Sequence, residues 1–171
     1  MNSKTTSIAE RFEEAFMAHK DNMYDFAIKL MNDQAETEDI VHEAFIRLYD
    51  QFHKRAEIHD IKNWLFIVTR NLCYTRLKRI RKQADYSEQI IENRYEENPS
   101  AELTYFVERA LGQLDDKYRE VLILRTYFGY SYEEIARILH KSIPAVKSLL
   151  FKARKKLQKQ AKKSERSEKM R

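Results

Sequence analysis

Apolar residues recur along this chain at the three- and four-residue steps of helices, with no clear two-residue alternation anywhere. Ile8, Phe12, Ala15 and Phe16, then Tyr24, Ala27, Ile28 and Leu30, predict one or two amphipathic helices ending near Asn32 and Asp33. Thr37 suits the cap of a following helix whose inward stripe is Ile40, Val41, Ala44, Phe45 and Leu48. Residues 51–60 are polar and mixed in charge, and read as a loop. A long helix follows from about 61 to 82, with Leu65, Val68, Leu72 and Leu77 inward. Residues 83–100 carry five acids, one arginine and Pro99, the composition of a flexible acidic linker. Beyond it, helices are predicted near 101–113 and 116–127.

The segment after that is the most informative in the chain. Ser131 and Glu134 form an S-x-x-E capping box, which starts a short helix at Tyr132 and buries Ile135, Ala136 and Leu139. Ser142 caps a second helix, and Pro144 is tolerated in its first turn because amides there have no intrahelical partner to lose. Val146, Leu150, Ala153 and Leu157 fall on one stripe, while Lys147, Ser148, Phe151, Lys152, Arg154 and Lys155 point elsewhere. Two short helices, a tight turn at His140 and Lys141, and a cationic face opposite a buried seam make a helix-turn-helix pattern. An ordinary amphipathic hairpin with a solvated basic face is the alternative that this segment alone leaves open.

Charge distribution bears on that choice. Residues 1–50 hold 5 basic and 11 acidic side chains, whereas residues 101–171 hold 17 and 9. From Lys141 onward, 12 basic residues face only Glu165 and Glu168, and a second block from Arg70 to Lys82 has 6 basic residues and no acid. Two separate basic patches suit contact with phosphates at two places along a nucleic acid. The last residues, 161–171, show no apolar periodicity and read as a basic disordered tail.

Composition narrows the class. With two glycines, two prolines and no alternating runs in 171 residues, the punctuation that strands need is missing, so an all-α fold is expected. The expected architecture is two small helical domains, 8–82 and 101–160, joined by the linker 83–100, the second containing the helix-turn-helix. A single Cys73 excludes an internal disulfide, and five scattered histidines offer no metal-ligand spacing. Asp39 and His42 could form half of a carboxylate-bridged metal site, but no second copy of the motif exists. No metal, cofactor or small-molecule substrate is expected. The N-terminal residues lack a hydrophobic core region, and the longest apolar run, 64–68, is far too short to span a bilayer, which points to a cytoplasmic protein. Clustered carboxylates or nucleophile–base pairs do not stand out, so an enzyme is not expected.

Taken in order, TEDIVHEAFIRLYDQF (37–52), NWLFIVTRNLCYTRLKR (63–79), and LDDKYREVLILRTYFGYSYEEIARIL followed by SIPAVKSLLFKARKKL resemble successive signatures of the extracytoplasmic-function (ECF) group of sigma-70 family RNA polymerase sigma factors. The resemblance covers roughly residues 10 to 158 with family-like spacing. It implies a first domain that grips core RNA polymerase and the −10 promoter element, and a second that reads the −35 element, with no further domain before or between them. It also implies an anti-sigma factor, in the family usually membrane-tethered. A stand-alone helix-turn-helix repressor or activator is the competing reading, and it leaves 37–52 and the Arg70–Lys82 patch unexplained. Inducing signal, promoter sequence and regulon are not encoded in any pattern here.

The resemblance also assigns residues. Asp39, His42, Glu43, Arg47 and Asp50 lie on the helix that docks on core polymerase in the family, although His42 stands where glutamine is usual. Residues 51–60 and the following helix correspond to the part that captures a flipped −10 base, for which Lys54, Arg55, Asn63, Arg70, Asn71, Arg76 and Lys78 are the candidate donors. Trp64 is expected in the core, and Thr75 stands where an acid is common. For −35 DNA the candidates are Ser142, Pro144, Ala145, Lys147, Ser148, Phe151, Lys152, Arg154 and Lys155. Three departures mark this element: His140 replaces a turn glycine, Lys141 an apolar turn residue, and Leu149 an arginine.

Overall fold

The protein is described here from a computed structural model that defines residues 7–84 and 110–168. Packing divides the chain into two units, Met1–Glu92 and Asn93–Arg171, and among the described residues every regular element is helical.

The first unit is three mutually packed helices. Helix α1 (Ile8–Met31) is one continuous helix, started by a reciprocal capping box between Ser7 and Glu10 and closed by Asn32 in the left-handed conformation. No glycine or proline interrupts residues 8–31, so the two apolar groups merge into one element. Helix α2 (Gln34–His53) begins four residues earlier than a Thr37 cap would place it. Asp33 takes the cap instead, its Oδ1 accepting from the Glu36 amide at 2.9 Å. Thr37 is fully buried in the first turn, where its hydroxyl donates to the Asp33 carbonyl at 2.6 Å. The helix also runs past 51, because burying Phe52 draws the last turn into the core.

Helix α3 (Ile61–Ala84) follows Asp60, whose Oδ1 accepts from the Asn63 amide at 2.9 Å. Its buried residues are Leu65, Phe66, Thr69, Leu72 and Cys73, while Val68, Leu77 and Trp64 are half-buried. The inward face is thus rotated by about one residue from the expected stripe, and packing of the larger Phe66 sets it. Its ring meets Phe26 edge-on at 5.2 Å, and the Thr69 hydroxyl points at the Met23 sulfur at 3.5 Å. Phe26, Phe45, Phe52 and Phe66 are all essentially inaccessible.

The second unit contains α4 (Asp116–Leu122), a π-helical segment (Ile123–Tyr127), α5 (Tyr132–Leu139) and α6 (Ile143–Glu168). Its core is mostly aliphatic: Val121, Leu124, Ile135, Ile138, Leu139, Val146, Leu150 and Ala153. Helix ends are fastened by side chains. The Arg119 guanidinium donates to the carbonyls of Leu111, Gly112 and Leu114 at 3.0, 2.6 and 3.2 Å, tying together the acceptors where the preceding helical turn ends. Helix α6 continues to Glu168, through most of the stretch where the missing apolar period predicts a tail. Lysine, glutamine, glutamate and arginine all have good helix propensity, so an established helix can run on without an apolar stripe. The expected linker and the helix near 101–113 lie largely outside the described residues, apart from helical Gln83, Ala84 and 110–112.

Candidate nucleic-acid interface

Helix α6 presents two chemically distinct faces. Val146, Leu150 and Ala153 are buried against the rest of the unit, whereas Lys147, Ser148, Phe151, Lys152, Arg154 and Lys155 are exposed. Ser142 and Pro144 are exposed at the start of the helix, with Ala145 half-buried, and the Ala145 amide donates to the Ser142 hydroxyl at 3.3 Å. Phe151 is 60% exposed, a large apolar group in water, with the Lys155 ammonium 4.8 Å from its ring centre. Leu149 is half-buried.

The turn before this helix is fixed by backbone geometry. His140 adopts φ 51, ψ 48; its amide donates to the Arg137 carbonyl, and the Lys141 amide to that of Ala136. This pair of bonds is a Schellman motif, which ends α5 within one residue. The Ser131–Glu134 capping box is present in both directions, at 3.1 and 2.7 Å. Two groups that sequence patterning did not single out stand at the same end of α5. The Arg125 guanidinium lies 4.8 Å from the Tyr132 ring centre and donates to the Tyr130 carbonyl at 2.7 Å. The Lys147 ammonium lies 5.6 Å from that same ring centre. Lys156, by contrast, is held by Asp115 at 2.7 Å, which raises the ammonium pKa and lowers the carboxyl one.

In the first unit, α2 ends in the same way as α5. Arg55 is left-handed at φ 53, its amide donating to the Phe52 carbonyl and that of Ala56 to Gln51. Lys54 and Arg55 are exposed there. On α3, Asn63, Arg70, Asn71 and Lys78 share one face by helical rotation, joined by Tyr74, whose ring lies 4.7 Å from the Arg70 guanidinium carbon. Asn71 and Lys78 are exposed; Asn63 and Arg70 are half-buried. Thr75 turns its hydroxyl back to the Asn71 carbonyl at 2.9 Å. Arg76 is set apart. Its Nε lies 3.0 Å from Glu36 Oε2 on α2, with Arg79 at 3.8 Å from the other oxygen, so Arg76 ties two helices together.

The outer face of α2 carries Asp39, His42, Arg47 and Asp50, all exposed, and half-buried Glu43. Glu43 and Arg47 pair at 2.6 Å. On the same face, on the His42 side of that pair, is Ile46, 49% exposed, with Tyr49 at 40% on the flank. The signal for Ile46 was present in the sequence as an apolar residue outside the inward stripe. His19 of α1 feels the charges of Lys62 and Asp60, and its imidazole pKa is lowered, first by burial, then by Lys62, against the opposing pull of Asp60. Among the described residues, no helix is long and apolar enough to cross a membrane, and no group of three or more His, Cys, Asp or Glu could hold a metal ion.

Comparison with known proteins gives these faces a context. Residues 15–83 match the family description Sigma-70 region 2, and residues 107–157 match Sigma-70, region 4. The chain is 27% identical over 150 residues to the ECF RNA polymerase sigma factor SigM of Bacillus subtilis, covering 85% of this chain and 91% of that one. It is 27% identical over 168 residues to SigW of the same organism, covering 88% and 89%. Among solved structures, the sigma factor RpoE of Bartonella quintana, in complex with the anti-sigma factor NepR, superposes with a TM-score of 0.76 at 26% identity, covering 90% of this chain and 98% of that one.

Proposed function

Because the chain belongs to the ECF group of the sigma-70 family, and so acts as an RNA polymerase sigma factor in promoter-specific initiation, we propose which of its surfaces carry each part of that work. The observation that carries the assignment is the two-faced α6: a seam of buried Val146, Leu150 and Ala153 opposite a row of cations and one exposed phenyl ring. Lys147 and Ser148, in the N-terminal half, approach base edges of the −35 duplex, while Lys152, Arg154 and Lys155, a turn or more later, contact phosphates. Phe151 offers an apolar surface suited to a thymine methyl group. In the first unit, Lys54, Arg55, Asn63, Arg70, Asn71 and Lys78 line the path of the −10 single strand, and Tyr74 adds a ring on which a base can stack. Arg76 is assigned to the fold rather than to DNA, since its ion pair with Glu36 joins α2 to α3.

The outer face of α2 is assigned to core polymerase, with Asp39, His42, Glu43 and Asp50 as a polar rim around Ile46. An apolar centre with charged surroundings is the usual anatomy of a docking site. We place the first domain at 8–82, the linker at 83–100 and the second domain at 101–160, with α6 running on beyond it to Glu168. The protein is a cytoplasmic, non-catalytic specificity subunit, held in reserve by an anti-sigma factor, as the complex of its structural relative with NepR suggests. The test is run-off transcription: this chain and core polymerase, with no other sigma subunit, should initiate at discrete sites on genomic fragments. Tight sequence-specific binding by the chain alone, without initiation by core, would replace this reading with that of a stand-alone regulator.

A further inference from the structure

We propose that Tyr132 is a positioning residue for −35 recognition, its ring acting as the platform that fixes where the Lys147 ammonium meets the base edges. The inference rests on the reading that Lys147 faces those edges. A lysine side chain has four rotatable bonds and no planar fork, so by itself it specifies position poorly. Here its ammonium lies 5.6 Å from the Tyr132 ring centre, within the range at which the ring quadrupole attracts a cation.

The ring is itself well placed to hold a position. Tyr132 is the first residue of α5, enclosed by the reciprocal Ser131–Glu134 capping box that fixes the backbone at this point. The Arg125 guanidinium lies 4.8 Å from the ring centre and is anchored to the Tyr130 carbonyl at 2.7 Å. Two cations near one ring repel each other, and the neighbouring Glu133 offsets that repulsion. Its carboxyl is held below the usual range by its own backbone hydrogen bond and by Ser131, and further by Lys147 and Arg125. A purely packing role for Tyr132 fits less well, because the ring is only half-buried and α5 meets the core through Ile135, Ala136, Ile138 and Leu139.

The experiment uses the full chain assembled with core polymerase and a set of promoters carrying every base at each −35 position. Lys147→Ala identifies the base pair that Lys147 reads. Tyr132→Leu should lower discrimination at that same base pair by about two- to five-fold, the equivalent of an exposed cation–π contact. Tyr132→Phe should retain it, and adding Tyr132→Leu to Lys147→Ala should change nothing further there. Full discrimination in Tyr132→Leu, alongside its loss in Lys147→Ala, overturns the platform while leaving base reading intact. No change in Lys147→Ala overturns base reading, and the platform with it. A measurement in the absence of DNA guards against misfolding: the Lys147 methylene proton resonances should be shifted by the ring current in the wild-type chain and in Tyr132→Phe, and unshifted resonances in the wild type overturn the platform directly.

Discussion

The two units hold their helices by different means. In the first, caps also mark the helix ends, but three long helices meet around four inaccessible phenylalanines, so shape comes chiefly from the bulk they bury. In the second, α4 and α5 span only seven and eight residues; Arg119 of α4 fastens the carbonyls of the turn that precedes it, and α5 is fixed at its two ends by the Ser131–Glu134 box and the His140 turn. Short helices have few interior contacts to orient them, so the hydrogen bonds at their ends decide direction. The first unit should therefore fail through cavities and the second through lost caps.

The sharpest way to break that contrast is Phe66→Ala, which empties the centre of the first unit. It should cost about 3–5 kcal/mol, and hydrogen exchange on the full chain should show the loss in α1–α3 while protection in α5 and α6 stays unchanged. Equal loss in both units would mean that they unfold together.

Next in size is Glu43→Lys. Its pair with Arg47 is half exposed, so the fold should lose only about 0.2–0.5 kcal/mol. Assembly with core polymerase should nevertheless weaken by roughly 2 kcal/mol or more, because charge reversal in a docking surface adds repulsion. Affinity of the variant for core, measured beside its melting curve, separates the two effects.

For the second unit, Ser131→Ala should cost about 1 kcal/mol, the usual loss for an N-cap hydroxyl, read as faster exchange in α5 before any change in α1–α3. A smaller effect of opposite sign is expected at the αL residues. His140→Gly should stabilise by roughly 0.5–1 kcal/mol, relief of left-handed strain outweighing the greater freedom of glycine when unfolded. Arg55→Gly should stabilise the first unit similarly while weakening −10 binding, so stability and DNA affinity move in opposite directions only at Arg55.

The smallest expected effect is a pH dependence confined to the first unit. His19 has its pKa lowered from 6.5 by burial, so between the folded value and 6.5 the unfolded chain holds more protons. Stability should fall as pH drops through that window and level off below it. His19→Gln should remove this part of the slope, checked by melting curves of both proteins from pH 7 to pH 5.

What could be read from sequence follows from the same contrast. The helix-turn-helix was legible almost to the residue, because Ser131, Glu134, Ser142 and Pro144 mark helix ends by local chemistry. The inward face of α3 lies one residue from the stripe its sequence predicts, because Leu65 and Val68 make a plausible stripe until Phe66 finds Phe26 in another helix. Thr37 reads as a cap from sequence because Asp33, which takes the cap, also fits the end of the preceding helix. The place of Arg76 beside Glu36, and of Lys147 beside Tyr132, depends on contacts between elements that no local pattern announces.

The π-helical segment at Ile123–Tyr127 has a consequence for how this unit tolerates changes in length. A π turn, marked here by the Phe128 amide donating to the Ile123 carbonyl, accommodates one residue more than an α turn while leaving the flanking registers in place. A single-residue deletion within 125–127 can be absorbed by closing the ring to α spacing, with Val121 and Leu124 still inward on one side and Ser131 still ahead of Glu134 on the other. The same deletion inside α5 would swing Ile138 and Leu139 by about 100° away from the core. Insertions and deletions in this unit should thus be permitted at the π turn and forbidden a few residues later, a boundary set by ring size in the backbone rather than by any side chain.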